Sequence, residues 1–205
     1  MLHYKTIEPA TLELLKALLA IPEFEYLRLA GGTSLALQIG HRTSIDLDLF
    51  GVLSVEPNEV LELIRPLGNI SIIKNSRIIH SFIINNIKVD LINYRYPWLT
   101  DTNNSDSLRL ASIKDICAMK LAAVAGRGTK KDFIDVYFLL QHYSLQEMLR
   151  LYKEKYTDGS TFMIIKSLSY FDDAEDEPEP FMFENIDWDM VKQTILKELS
   201  SLPLH

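Results

Sequence analysis

The 205-residue chain is 47% apolar and 24% charged, with a formal net charge of −7, an ordinary composition for a globular protein. It has no apolar run of the roughly 18 residues that a membrane span needs. Its one cysteine, Cys117, excludes an intrachain disulfide framework and a Cys-built zinc site. Ten of the 28 acidic residues, but only two of the 21 Lys and Arg, lie from Asp172 onward. The preceding body is therefore near neutral, which is compatible with a polyanionic substrate. Met1 to Lys5 lack the basic start and long apolar stretch of a secretory signal, and the cysteine usage suits a reducing compartment. The expected location is the cytoplasm.

Pro9 suits the first turn of a helix running to about Leu19, with Leu12, Leu15, Leu18 and Leu19 on one face. Tyr26–Ala30 reads as a short buried strand broken by Gly31-Gly32. A short helix is expected from Thr33 or Ser34 to Ile39, ended by Gly40. Ser44–Phe50 alternates, with Ile45, Leu47 and Leu49 facing inward and Ser44, Asp46 and Asp48 facing outward. Pro57–Ile64 is helical, with Pro57 near its first position.

β-Branched runs follow at Ile70–Ile73, Ile78–Ile84 and Ile87–Asn93. Asn85-Asn86 can supply the positive φ values of a tight hairpin turn. Beyond about residue 100 the pattern is helical, over 112–125, 130–142, 144–155, 160–169 and 187–199, with Ser112 capping the first. Cys117 falls in an apolar helical pattern and is expected to be a small core residue. The order of elements makes this an α+β chain: a sheet core with helices, followed by a helical C-terminal half.

Asp46 and Asp48, two apart on a strand, project from one face. Carboxylates facing the same way repel unless a cation lies between them, and Mg²⁺ takes such oxygen ligands together with substrate phosphates. In Ile87–Asn93, Val89 and Leu91 point inward, so Asp90 shares the other face with Lys88. If that strand neighbours 44–50, three carboxylates converge, as two-metal phosphoryl chemistry requires. Ahead of them, the Gly31-Gly32 turn lets backbone approach a phosphate, and the following helix start presents N–H groups to it. Thr33 and Ser34 add hydroxyl donors. Arg42 suits either a phosphate or a nearby aspartate.

Gly31-Gly32-Thr33-Ser34-Leu35-Ala36-Leu37 and His41-Arg42-Thr43-Ser44-Ile45-Asp46-Leu47-Asp48-Leu49-Phe50 together resemble the first motif of the AbiEii/AbiGii toxin family. A second resemblance lies in Asp115-Ile116-Cys117-Ala118-Met119-Lys120-Leu121-Ala122-Ala123 followed by Arg127 and Lys131-Asp132-Phe133-Ile134-Asp135-Val136-Tyr137. A weaker third is Tyr170-Phe171-Asp172-Asp173-Ala174-Glu175. The resemblance spans about 30 to 175.

It implies a nucleotidyltransferase core of the DNA polymerase beta superfamily, over 1–105. It also implies a helical region completing the active site over 106–170; the acidic segment and C-terminal helix then occupy 171–205. Asp46, Asp48 and Asp90 would hold two Mg²⁺ ions, with Mn²⁺ as a substitute. Gly31, Gly32, Thr33 and Ser34 would hold NTP phosphates, with Arg42, Arg127 and Lys131 as further phosphate contacts. Lys120 would meet the triphosphate, and Asp132 would be a general base or a hydrogen-bond organiser. The implied acceptor is RNA, tRNA foremost, and the implied partner is an antitoxin encoded nearby. A metal-dependent nuclease and a non-catalytic nucleotide-binding protein are the rival readings.

Overall fold

The computed structural model describes residues 1–203, apart from the side chain of Ser105. It holds two compact units. The first is Met1–Tyr96 with Thr102–Ala111; the second is Pro97–Asp101 with the chain from Ser112 onward.

The first unit contains α1 (Pro9–Leu19), β1 (Arg28–Leu29), α2 (Gly31–Ile39), β2 (Leu47–Gly51) and α3 (Pro57–Ile64). It continues with β3 (Ile70–Asn75), β4 (Ile79–Ile84), β5 (Ile87–Asn93), β6 (Asn103–Ser105) and β7 (Leu108–Leu110). The seven strands form one sheet in the order β3-β4-β5-β2-β1-β7-β6. At its centre β2 runs parallel to β5 and antiparallel to β1. Leu47, Leu49, Val89 and Leu91 are fully buried with Leu15, Leu18, Phe24 and Phe82. Each such side chain contributes about 1.5–3 kcal/mol through its burial. Arg109 ties the sheet to the end of α1, its guanidinium donating to the carbonyls of Leu19, Phe24 and Leu27 at 3.0, 2.9 and 3.1 Å.

Pro9 and Pro57 begin α1 and α3, as a residue without an N–H should. Asn85 and Asn86 make the β4–β5 turn with φ of 50° and 68°. Three sequence expectations are corrected. α2 begins at Gly31 itself, two residues before the hydroxyl residues expected to start it. The strand of Asp48 begins at Leu47. Ser44 is held outside the ladder by its N–H to the Thr6 carbonyl, 2.9 Å, and Ile45 is 60% exposed rather than inward. Finally, the chain past residue 100 is not all helical, because β6 and β7 form a hairpin whose turn residues Asp106 and Ser107 have φ of 52° and 65°.

The second unit is helical: α4 (Ile113–Gly126), α5 (Lys130–Leu140), α6 (Leu145–Lys155), α7 (Thr161–Leu168), α8 (Asp172–Glu175) and α9 (Trp188–Ser200). Ser112, Ser144 and Ser160 cap α4, α6 and α7, each hydroxyl accepting an N–H from the first turn. Such a cap contributes about 1 kcal/mol. Cys117 is buried, and that burial pushes its thiol up to about 12. Lys155 and Asp115 form a fully buried ion pair at 2.8 Å, and the ammonium also donates to the Pro97 carbonyl at 2.8 Å. The acidic segment packs onto this unit. Glu177 accepts the Lys130 N–H at the start of α5, and Trp188 stacks edgewise on Phe133 and Phe171. Among the described residues, no helix is long and apolar enough to cross a membrane.

Candidate active site

Parallel pairing of β2 with β5 places Asp48 opposite Asp90, so the two carboxylates leave neighbouring strands about 4.8 Å apart. Asp46 lies two residues before Asp48, and all three aspartates are half-buried. Lys88 shares this face: its ammonium bonds the Asp90 carboxylate at 2.8 Å. That bond raises the Lys88 pKa; burial opposes it, and the charges of Asp90, Asp48 and Asp46 add to it. Lys88 therefore feels all three aspartates. Ser81, the register partner of Asp90 on β4, donates its hydroxyl to the other Asp90 oxygen.

The start of α2 lies against this cluster. The Ala30 N–H donates to the Asp48 carbonyl at 2.8 Å, and Gly31 follows with φ of +63°. A Cβ on Gly31 would come within 2.5 Å of an Asp48 carboxylate oxygen. Glycine is needed here for both the left-handed backbone and the close approach. The N-cap residue of α2, Ala30, has no side chain that could cap it, and the N–H groups of a helix start favour an anion.

Thr33 and Ser34 are buried, at 1% and 0% exposure. The Thr33 hydroxyl bonds the Asp46 carbonyl and, at 2.8 Å, Ser44 Oγ. Its role here is to pin the backbone that carries Asp46. Ser34 Oγ accepts from Gln38 at 3.2 Å. Arg42 is 3% exposed, donates to the Thr43 carbonyl at 2.9 Å, and lies so close to Gly32 that a Cβ there would meet it at 2.3 Å.

The residues expected from the second motif lie in the helical unit. Lys120, 3% exposed, bonds Asp132 at 2.9 Å and Asp135 at 2.6 Å. Arg127 grips Asp132 through Nε at 2.7 Å and a terminal nitrogen at 3.0 Å. Thr129 donates to the same carboxylate at 2.6 Å. Burial alone would raise the Asp132 pKa; Lys120, Arg127 and Thr129 outweigh it and hold the carboxyl well below the usual carboxylate range. A carboxylate so stabilised is a poor proton acceptor, so the geometry favours Asp132 as organiser over Asp132 as base. Lys131 is half-buried beside it, while Lys130 is buried and donates to the Glu175 carbonyl at 2.9 Å.

Lys88 and Ser81 both bond the Asp90 carboxylate, and sequence reasoning assigned neither to the site. The signal for Lys88 was present, since residues two apart on a strand share a face. Ser81 could be found only through the β4–β5 register. As the side chains stand, no group of three or more His, Cys, Asp or Glu among the described residues is gathered into a metal-ligand set. The donor chemistry of Asp46, Asp48 and Asp90 nevertheless fits a hard divalent cation, and the Lys88 ammonium bonds one of those carboxylates.

A mixed sheet with a glycine-led helix start beside paired aspartates is the class of site that nucleotidyltransferases use. Among solved structures, MenT4, a nucleotidyltransferase toxin from Mycobacterium tuberculosis H37Rv, matches with TM-score 0.60 and 15% identity, over 95% of this chain and 84% of that one. JHP933 from Helicobacter pylori matches with TM-score 0.59 and 20% identity, over 97% and 89%. An uncharacterized protein of Aquifex aeolicus (strain VF5) is 36% identical over 174 residues, covering 80% of this chain and 82% of the relative. Residues 13–202 match the family described as nucleotidyl transferase AbiEii toxin, type IV TA system. The chain belongs to the AbiEii nucleotidyltransferase toxin family.

Proposed function

We propose that the protein transfers a nucleoside monophosphate from an NTP to an RNA acceptor, tRNA foremost, in the cytoplasm. It acts in this reading as the toxin of a pair whose antitoxin is encoded nearby. The observation that carries the proposal is the register of Asp48 with Asp90 beside the start of α2, with Gly31 against the Asp48 carboxylate. The family membership and the MenT4 fold support it.

The acceptor hydroxyl oxygen forms a bond to the α-phosphorus of the NTP, and the bond from that phosphorus to the bridging oxygen of the β-phosphate breaks. Pyrophosphate leaves and the hydroxyl proton passes to solvent. Asp46, Asp48 and Asp90 would hold two Mg²⁺ ions, or Mn²⁺ in their place, which would supply charge neutralisation and a more acidic acceptor hydroxyl. The first N–H groups of α2 bind the outer phosphates, and Gly31 permits their approach. Thr33 fixes the Asp46 backbone. Arg42, buried under Gly32, braces the turn. The Lys120–Asp132–Asp135–Arg127 network fixes α4 against α5 and presents Arg127 to a phosphate at the unit's surface.

The test is label transfer from each α-labelled NTP, with Mg²⁺ and total tRNA or cell extract, beside an Asp48→Ala control. Label on RNA with the intact protein alone is the expected result. RNA fragments without label would replace the proposal with a nuclease. Nucleotide binding without turnover on any acceptor would replace it with a non-catalytic binder.

A further inference from the structure

The helical unit has an open cavity of about 370 Å³, lined by the end of α4, the turn into α5, α7 and the turn into α8. Its volume lies in the range of roughly 300–1,000 Å³ typical of small-ligand sites. Arg127 stands at one wall. Its guanidinium is oriented by two bonds to Asp132, yet 55% of the side chain stays exposed. An arginine oriented in advance loses little freedom when it binds a phosphate. Lys166 on α7 adds a second cation. Tyr170 and Met163 offer large apolar surfaces at 52% and 50% exposure, and the Tyr170 hydroxyl bonds Asp173 at 3.3 Å.

Gly126 gives a separate indication. It is helical, and a Cβ built there meets nothing within 4 Å. Neither backbone geometry nor packing requires glycine at this position, which costs a helix about 0.5–1 kcal/mol relative to alanine. Gly126 lines the cavity, and a larger side chain there would have open space to enter.

We infer that this cavity binds one unpaired nucleotide of an RNA strand, with its base on Tyr170 and its phosphodiester between Arg127 and Lys166. An exposed aromatic ring beside cations is the pattern that holds single strands with little sequence preference. The inference rests on the RNA-acceptor reading above and deepens it, by naming an acceptor contact in the helical unit.

The test uses the full chain and a fluorescein-labelled oligouridylate, with binding followed by anisotropy, beside label transfer to RNA. Tyr170→Ala, Lys166→Glu and Gly126→Phe each weaken binding at least about fivefold, and Tyr170→Trp restores it. In transfer, Tyr170→Ala raises KM for RNA with kcat unchanged. Folded variants that bind the oligonucleotide as the parent does overturn the pocket, and leave the acceptor reading intact if the parent still labels RNA. A parent that neither binds nor labels any RNA overturns both. UMP competing as well as the strand would make the cavity a mononucleotide site and overturn the strand.

Discussion

The sheet unit and the helical unit each hold a group of aspartates with a lysine among them, and the two groups are built to opposite ends. Asp132 and Asp135 are fully buried, and Asp132 bonds Lys120, Arg127 and Thr129. Asp48 and Asp90 face each other across adjacent strands with Asp46 just before the first; all three are half-buried, and an exposed lysine bonds Asp90. A buried carboxylate is tolerable only with its charge compensated, so the helical group is complete as it stands. The strand group concentrates negative charge where a divalent cation can reach it. Residue type is the same in both; the two groups differ in burial and in how far their charge is compensated.

Two substitutions test that division. Asp48→Ala should leave thermal unfolding unchanged and lower transfer by about 10³-fold or more, a loss of several kcal/mol at the barrier. Asp132→Ala should instead destabilise the helical unit by about 3–5 kcal/mol, because it leaves Lys120 buried with less compensation. Urea unfolding beside label transfer reads both. The division is wrong if Asp48→Ala unfolds the protein or Asp132→Ala does not.

Period-two alternation made the faces of Asp48 and Asp90 legible within their strands, and Asn85-Asn86 made the β4–β5 hairpin legible; Asp46 lies before the strand, where the alternation fails, and the β2–β5 pairing that sets Asp90 beside Asp48 is recorded by no local pattern. The prolines made the starts of α1 and α3 legible for a similarly local reason. The helical group was legible only as residue types. A 3.6-residue period does not reveal that Lys120 lies between Asp132 and Asp135 of the next helix, so its ammonium read as a surface or substrate contact. Arg42 and Thr33, read from sequence as ligand contacts, are buried at 3% and 1% exposure. Their burial depends on how α2 packs beside the chain at 42–46, which no local pattern records. The β6–β7 hairpin went unread because its strands are three residues long and the first, Asn103–Ser105, is polar.

Acid should separate the two groups further. The Asp132 pKa is lowered in the folded protein. Its contribution to stability is therefore present above the unfolded-state value of about 3.9 and is lost as pH falls towards the folded value. Unfolding free energies measured from about pH 6 down to pH 2 should be governed by this group only below about pH 4. There Asp132 adds a slope approaching 1.4 kcal/mol per pH unit, and Asp132→Asn should remove that slope. Equal slopes in parent and variant would show that the Asp132 carboxylate is not stabilised in its charged form.

The smallest effect on stability should come from Lys88. Lys88 also pairs with an aspartate, but 45% of its side chain is exposed. An exposed pair contributes between zero and about 1 kcal/mol, so Lys88→Met should leave unfolding within that range. Its effect should appear in cation binding instead. The ammonium lies within the field of Asp90, Asp48 and Asp46, where it offsets the charge that would attract a divalent ion. Removing it should tighten Mn²⁺ binding, read by electron paramagnetic resonance, by about threefold to tenfold. Weaker binding would mean that Lys88 holds Asp90 in the orientation a metal needs, and would make it a support of the site, as Lys120 is a support of the helices.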